Sequence, residues 1–145
     1  MKSLVIYDSN YGNTELIAEE IAKNLGDGVK AISVKKADKS DIKDLDLLVI
    51  GSPIIGWKPT ENITALLKEV EMMDLKSLKY TTFDTRIKLL IHGDAKEKMS
   101  KSLSKTGAKL VIEPIAFYVS GTEGPLFKDE LKNAANWAKK IIDLV

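Results

Sequence analysis

Short, charge-poor runs rich in β-branched residues alternate along this chain with stretches whose apolar residues recur at helical spacing, and few folds accept that alternation. The predicted strands are Leu4–Tyr7, Val29–Val34, Leu47–Gly51, Tyr80–Asp84 and Leu110–Val119. The predicted helices are Thr14–Leu25, Glu61–Met73, Asp94–Thr106 and Lys128–Leu144. Strands that alternate with helices form right-handed βαβ units and a parallel sheet covered on both faces. Edge protection suggests the strand positions. Lys30, Lys35 and Lys36 suit the second strand to an edge, because lysine discourages pairing with another sheet. Glu113-Pro114 interrupts the fifth run, and proline is tolerated only at an edge or a bulge. The charge-free first and third runs suit the interior, with the half-apolar fourth beside them. In the last helix, Leu131, Ala134/Ala135, Ala138 and Ile141/Ile142 are expected to face the sheet.

At 145 residues the chain fits a single domain, spanning 1–145, and a hydrophobic share of 44% is enough for a globular core. Cysteine is absent and His92 is the sole histidine. Disulfides, thiol catalysis and cysteine-based metal sites are therefore excluded, and histidine-rich metal sites and Ser-His-Asp chemistry lose most of their support. Redox activity would have to come from a bound organic cofactor. A net charge of +1 points to neither nucleic acid nor an anionic membrane. With no secretory signal or membrane span, the expected location is cytoplasmic.

The functional signal lies between the first strand and the first helix, in Ser9-Asn10-Tyr11-Gly12-Asn13-Thr14. The first amides of a helix have no internal partner, and the helix dipole favours an anion there. Neither GxxxxGK[ST] nor GxGxxG is present, and no Lys or Arg occurs from Asp8 to Glu15. One phosphate held by neutral donors fits, since a hydrogen bond to a charged group is worth roughly 1.5–3 kcal/mol. The alternative is an ordinary strand-to-helix turn.

This loop resembles the phosphate loop of the flavodoxins, T/S-x-T/S-G-x-T, through Ser9, Gly12, Asn13 and Thr14, with Tyr11 in place of a hydroxyl residue. The resemblance extends to Gly51-Ser52-Pro53-Ile54-Ile55-Gly56-Trp57, to Phe83-Asp84-Thr85-Arg86 and to Phe117–Leu126. It implies a flavodoxin-like three-layer α/β/α sandwich with a five-stranded parallel sheet of order 2-1-3-4-5, in agreement with the edge argument. A ligand crevice then opens where the strand order reverses, at the C-terminal ends of the first and third strands. Response-regulator receiver domains share this topology but need an aspartate after the third strand, which here ends Val49-Ile50-Gly51-Ser52-Pro53.

By resemblance the cofactor is flavin mononucleotide (FMN), and the candidate cofactor-binding residues are Ser9, Asn10, Tyr11, Gly12, Asn13, Thr14, Ser52, Pro53, Ile54, Ile55, Gly56, Trp57, Asp84, Thr85, Arg86 and His92. No catalytic residue or metal ligand is expected. Trp57 either stacks on one flavin face or covers the helix below it. Arg86 is either a flavin-side cation or a surface ion-pair residue. His92 reads as a solvated loop residue, and the turn after the fifth strand reads as structural. The function so implied is a monomeric electron carrier that shuttles electrons between redox partner proteins at low potential; the alternatives are an NAD(P)H-dependent flavin reductase acting on quinones or similar acceptors and a flavin-free interaction module on the same fold. Lys58, Arg86 and Lys88 set against Glu61 and Asp84 imply a near-neutral docking face to which Leu89-Leu90-Ile91 contributes, and partner rates only weakly sensitive to salt.

Overall fold

Val5 and Ile6 send their side chains to opposite faces of one sheet, and a separate core grows on each face. The computed structural model describes residues 1–89 and 92–145; Leu90 and Ile91, part of the apolar loop named above, lie outside the described residues. In chain order the elements are β1 (Ser3–Tyr7), α1 (Asn13–Leu25), β2 (Lys30–Ser33), β3 (Leu47–Pro53), α2 (Glu61–Val70), β4 (Lys79–Ile87), α3 (Lys96–Ser104), β5 (Lys109–Leu110), β6 (Ile115–Val119) and α4 (Glu130–Leu144). The sheet runs β2-β1-β3-β4-β5, with β6 also on β4, and these pairings are parallel.

Ile6, Leu48, Ile50 and Tyr80 pack under Ile63, Leu67 and Val70 of α2 and Met99 and Leu103 of α3. On the other face, Val5, Val49, Phe83 and Phe117 meet Ile17 and Ile21 of α1 and Ala134, Trp137 and Ile141 of α4. The three-layer sandwich and its strand order are those expected from the sequence. Among the described residues no helix is long and apolar enough to cross a membrane.

Three expectations are corrected. The fourth strand does not stop at Asp84: β4 continues to Ile87, so Thr85 and Arg86 are buried strand residues instead of loop residues. Its polar side chains are tolerated because each finds a partner. Thr81 Oγ1 donates to the Ile112 carbonyl at 2.9 Å, and Thr82 Oγ1 donates to that of Lys96 at 2.7 Å. The fifth run is two segments instead of one. β5 pairs with Lys79 and Tyr80, β6 pairs with Phe83–Ile87, and the chain departs from the ladder around Pro114, which has no N–H to give it. In α4, Leu131 and Ile142 are exposed, and the buried stripe is Ala134, Trp137, Ala138 and Ile141.

The outer edge of β6 is covered locally. Phe127 N–H donates to the Tyr118 carbonyl at 3.0 Å and Ser120 N–H to that of Pro125 at 2.9 Å, while the buried Glu130 carboxylate accepts from Tyr118 N–H at 2.6 Å.

Candidate functional site

The loop after β1 is built around its own backbone. Asp8 N–H donates to the Gly51 carbonyl at 3.1 Å, tying the ends of β1 and β3 together. Ser9 Oγ accepts from Gly12 N–H at 3.0 Å, which bends the loop back on itself. Gly12 sits at φ 91°, a left-handed conformation that most side chains resist, and α1 begins immediately after it. The first helical bond is from Leu16 N–H to the Gly12 carbonyl, at 3.0 Å, and no side chain caps the helix. The amides of Asn13, Thr14 and Glu15 thus precede the helical ladder, at the positive end of the dipole.

Thr14 Oγ1 and Thr85 Oγ1 lie 2.8 Å apart in a buried pair that joins this loop to β4. Their mutual bond uses one hydroxyl proton, so the pair keeps a second one to donate to a ligand. Beneath them, Tyr7 OH donates to Glu15 Oε2 at 2.7 Å. Burial, then the Glu15 carboxylate, pushes the Tyr7 phenol up to about 12. The folded state therefore holds a proton that the unfolded chain releases from about pH 10. Stability from this bond should be complete below pH 10 and fall between about pH 10 and 12. Urea unfolding across that range should show the fall in the wild type and a flatter profile in Tyr7→Phe; parallel profiles would place the loss elsewhere.

The loop after β3 closes into a tiny hairpin. Ile55 and Lys58 exchange backbone bonds of 2.8 and 3.3 Å, and the two residues between them, Gly56 and Trp57, have φ of 57° and 70°. Two positive φ values in a two-residue loop mark a type I′ turn, which matches strand twist but strains any residue other than Gly, Asn or Asp. A tryptophan here costs backbone energy of about 1–3 kcal/mol, and the indole is held 58% exposed at the tip. The Trp57 carbonyl accepts from Asp94 N–H and Lys98 Nζ, each at 3.1 Å, and Gly93 lies so close to the Trp57 backbone that it has no room for a Cβ.

Asp84 and Arg86 share one face of β4, two residues apart. Arg86 donates to both Asp84 oxygens, from Nε at 2.9 Å and Nη2 at 2.5 Å, with Asp94 3.5 Å away. Burial would lower the Arg86 pKa, but the Asp84 hydrogen bond and the charges of Asp84 and Asp94 hold it above its ordinary value. Arg86 is thus a buried ion-pair residue, not the surface one weighed above. Asp84 Oδ2 also accepts from the amides of Ala95 and Lys96 at 3.3 and 3.0 Å, capping α3. Nδ1 of exposed His92 lies 2.9 Å from Arg86 Nη1 and 2.7 Å from the Gly93 carbonyl. A guanidinium only donates and a carbonyl only accepts, so that nitrogen serves one of them at a time.

These pieces surround a cleft of about 320 Å³ at the C-terminal ends of the strands. Ser9, Asn10, Tyr11, Asn13 and Thr14 line one side and Pro53 through Trp57 another, with Thr85, Arg86 and His92 between. Three candidates do not line it. Gly12 shapes the backbone turn; Ser52 accepts from Thr60 N–H and donates to the Pro53 carbonyl; Asp84 is buried under Arg86. Ile87, Val119 and Thr122 line it without having been singled out as candidates. Thr122 belongs to the turn read as structural, but Gly124 of that turn packs on the Asn13 amide, which brings the turn to the rim. The signal available in the sequence was that Val119 ends a strand at the same edge of the sheet.

Comparison with solved structures shows the same fold. Flavodoxin 1 from Bacillus cereus superposes with a TM-score of 0.87 at 17% identity, covering 100% of this chain and 99% of that one. A flavodoxin from the domain Archaea gives 0.80 at 17% identity, over 99% and 97%. Rubredoxin oxygen:oxidoreductase from Desulfovibrio gigas gives 0.81 at 18% identity, over 98% of this chain but 35% of that one. No curated protein sequence matches the chain. A family model described as a flavodoxin domain matches residues 4–121, and the chain belongs to that flavodoxin-domain family.

Proposed function

We propose that this chain binds FMN in the cleft and carries electrons between redox partner proteins. One observation carries the reading: an uncapped helix N-terminus, in a loop without Lys or Arg, opens onto a cleft rimmed by Tyr11 and Trp57. The volume is that of a small-molecule site. The residues fit the group in kind. The amides of Asn13 and Thr14, with the spare hydroxyl proton of the Thr14–Thr85 pair, would hold the phosphate. Trp57, Ile54, Ile55 and Leu89 supply apolar surface for the ring system. Bound FMN would supply the one- and two-electron redox chemistry that a cysteine-free chain lacks.

Neutral donors leave the phosphate charge uncompensated, which disfavours further negative charge on the cofactor and lowers its potential. A free cation 4 Å away would oppose that by about 1–4 kcal/mol. Arg86 opposes it less, because Asp84 and Asp94 already answer its charge.

Titration of apo-protein with FMN, riboflavin and FAD tests the assignment. FMN should bind tightest, and Thr14→Ala should weaken it by about 1–3 kcal/mol, roughly 5- to 150-fold, while leaving riboflavin unchanged. Riboflavin binding as tightly as FMN would remove the phosphate loop from the site. Mixing the yellow protein with NAD(P)H alone should leave the flavin oxidised; rapid bleaching would instead make it a flavin reductase.

A further inference from the structure

The geometry points to a second contact surface beside the cleft: a lysine-lined slot between α2 and α3 that takes acidic side chains of a protein partner. The slot has a volume of about 250 Å³. Lys58 enters it from the hairpin, Lys68 and Glu71 from α2, and Lys98 and Ser102 from α3, with buried Leu67 among its walls. Glu71 does not cancel the lysines, because its carboxylate lies 3.6 Å from Lys105 Nζ, outside the lining. Glu97 of α3 is likewise met by Lys96 at 3.5 Å. Asp94, whose Oδ2 accepts from Lys98 N–H at 3.2 Å, is answered by Arg86 and Lys96, and Glu61 lies one turn before Thr64 on α2. On a chain whose net charge is +1, this is a concentrated positive region.

The slot adjoins the cleft, since Lys98 Nζ, which lines the slot, holds the carbonyl of Trp57, which lines the cleft. A partner seated there would stand beside the cleft mouth, where Trp57, Ile55 and Tyr11 are exposed. The shape favours a protein. A concave slot with an apolar wall receives a projecting Glu or Asp side chain, whereas a lipid surface or a duplex meets cations that protrude from a broad face. The near-neutral docking face expected from the sequence lies around the cleft mouth, and the slot stands beside it. Arg86 and Asp84, counted there as surface charges, are buried and spent on each other, and Lys98 was not counted. Association should accordingly be steered by charge and weaken steeply with salt. The surface deepens the electron-carrier reading, and only the redox role of the partner rests on that reading.

The experiment uses the isotope-labelled 145-residue chain and an octaglutamate peptide, with octaglutamine as the neutral control. At about 0.02 M salt, where screening reaches beyond 10 Å, octaglutamate should shift the amide resonances of Lys58, Leu67–Glu71 and Lys98–Ser102. Lys68→Gln/Lys98→Gln should weaken the peptide about fivefold or more, whereas Lys132→Gln/Lys139→Gln on α4 should leave it within about twofold. Equal losses in the two double variants, or shifts spread over lysines on all faces, would overturn the slot. So would pelleting with phosphatidylcholine vesicles containing phosphatidylserine that is lost in Lys68→Gln/Lys98→Gln while octaglutamate fails to bind. FMN titration of Lys68→Gln alone and of Lys132→Gln/Lys139→Gln should match the wild type. An absent FMN response with an intact peptide response would sink the flavin reading alone.

Discussion

Gly51→Ala should destabilise the protein by about 3 kcal/mol or more, at the upper end of overpacking costs, and lower its melting temperature by roughly 10 °C. The reason is space rather than backbone angle. Gly51 lies in β3 between Tyr7 of β1 and Phe83 of β4, and an added Cβ would stand only 2.0 Å from Phe83 Cζ. The ring has nowhere to retreat. It is fully buried and meets Phe117 edge-on at 5.8 Å and Trp137 at 6.3 Å, and these two contact each other at 6.1 Å. Denaturant unfolding of Gly51→Ala, Phe83→Leu and the double variant isolates the clash. The glycine substitution should cost much less in the Phe83→Leu background. Equal costs in both backgrounds would mean that the ring is not the obstacle.

Asp84→Ala should cost about 3 kcal/mol or more, because it leaves a buried guanidinium with only Asp94, 3.5 Å away, to answer its charge. It also strands the Ala95 and Lys96 amides at the start of α3. Arg86→Ala should cost less, since the Asp84 carboxylate keeps those two donors. The double variant should be more stable than the sum of the singles implies, as expected of two charges whose burial depends on each other. Urea midpoints of the three variants check this. Arg86→Ala costing more than Asp84→Ala would show that the capping bonds matter less than the arginine's own packing.

The parts of the fold legible in the sequence are those whose cause is local. β1 and β3 are apolar runs with no charge to place, and α1 is bounded by Gly12 and Gly26. The break in the fifth strand is marked by Pro114, although the sequence reading joined its two halves. What was not legible depends on distant partners. Thr85 continues β4 because Thr14, 71 positions earlier, meets its hydroxyl, and Arg86 because β6 pairs with it at Tyr118 while Asp84 takes its charge. Read alone, Asp84-Thr85-Arg86 looks like the polar start of a loop. The same holds for the site. The glycine-bearing turns at Gly12 and Gly56 announced themselves, whereas Thr122 joins the cleft only through the packing of Gly124 on Asn13.

The cover over the outer edge of β6 has a consequence for how densely such molecules can crowd together. Polymerisation through sheet edges needs a continuous row of free amide and carbonyl groups to template the next strand. At Tyr118 both groups are taken, the carbonyl by Phe127 and the amide by Glu130, and Pro114 removes a donor just before the strand begins. At the opposite edge, β2 opens with Lys30 and continues into Lys35 and Lys36. A second copy arriving there meets ammonium groups before it meets a ladder. The β6 and β2 edges thus resist growth by different chemistry, a plugged ladder at Tyr118 and like charge at the lysines.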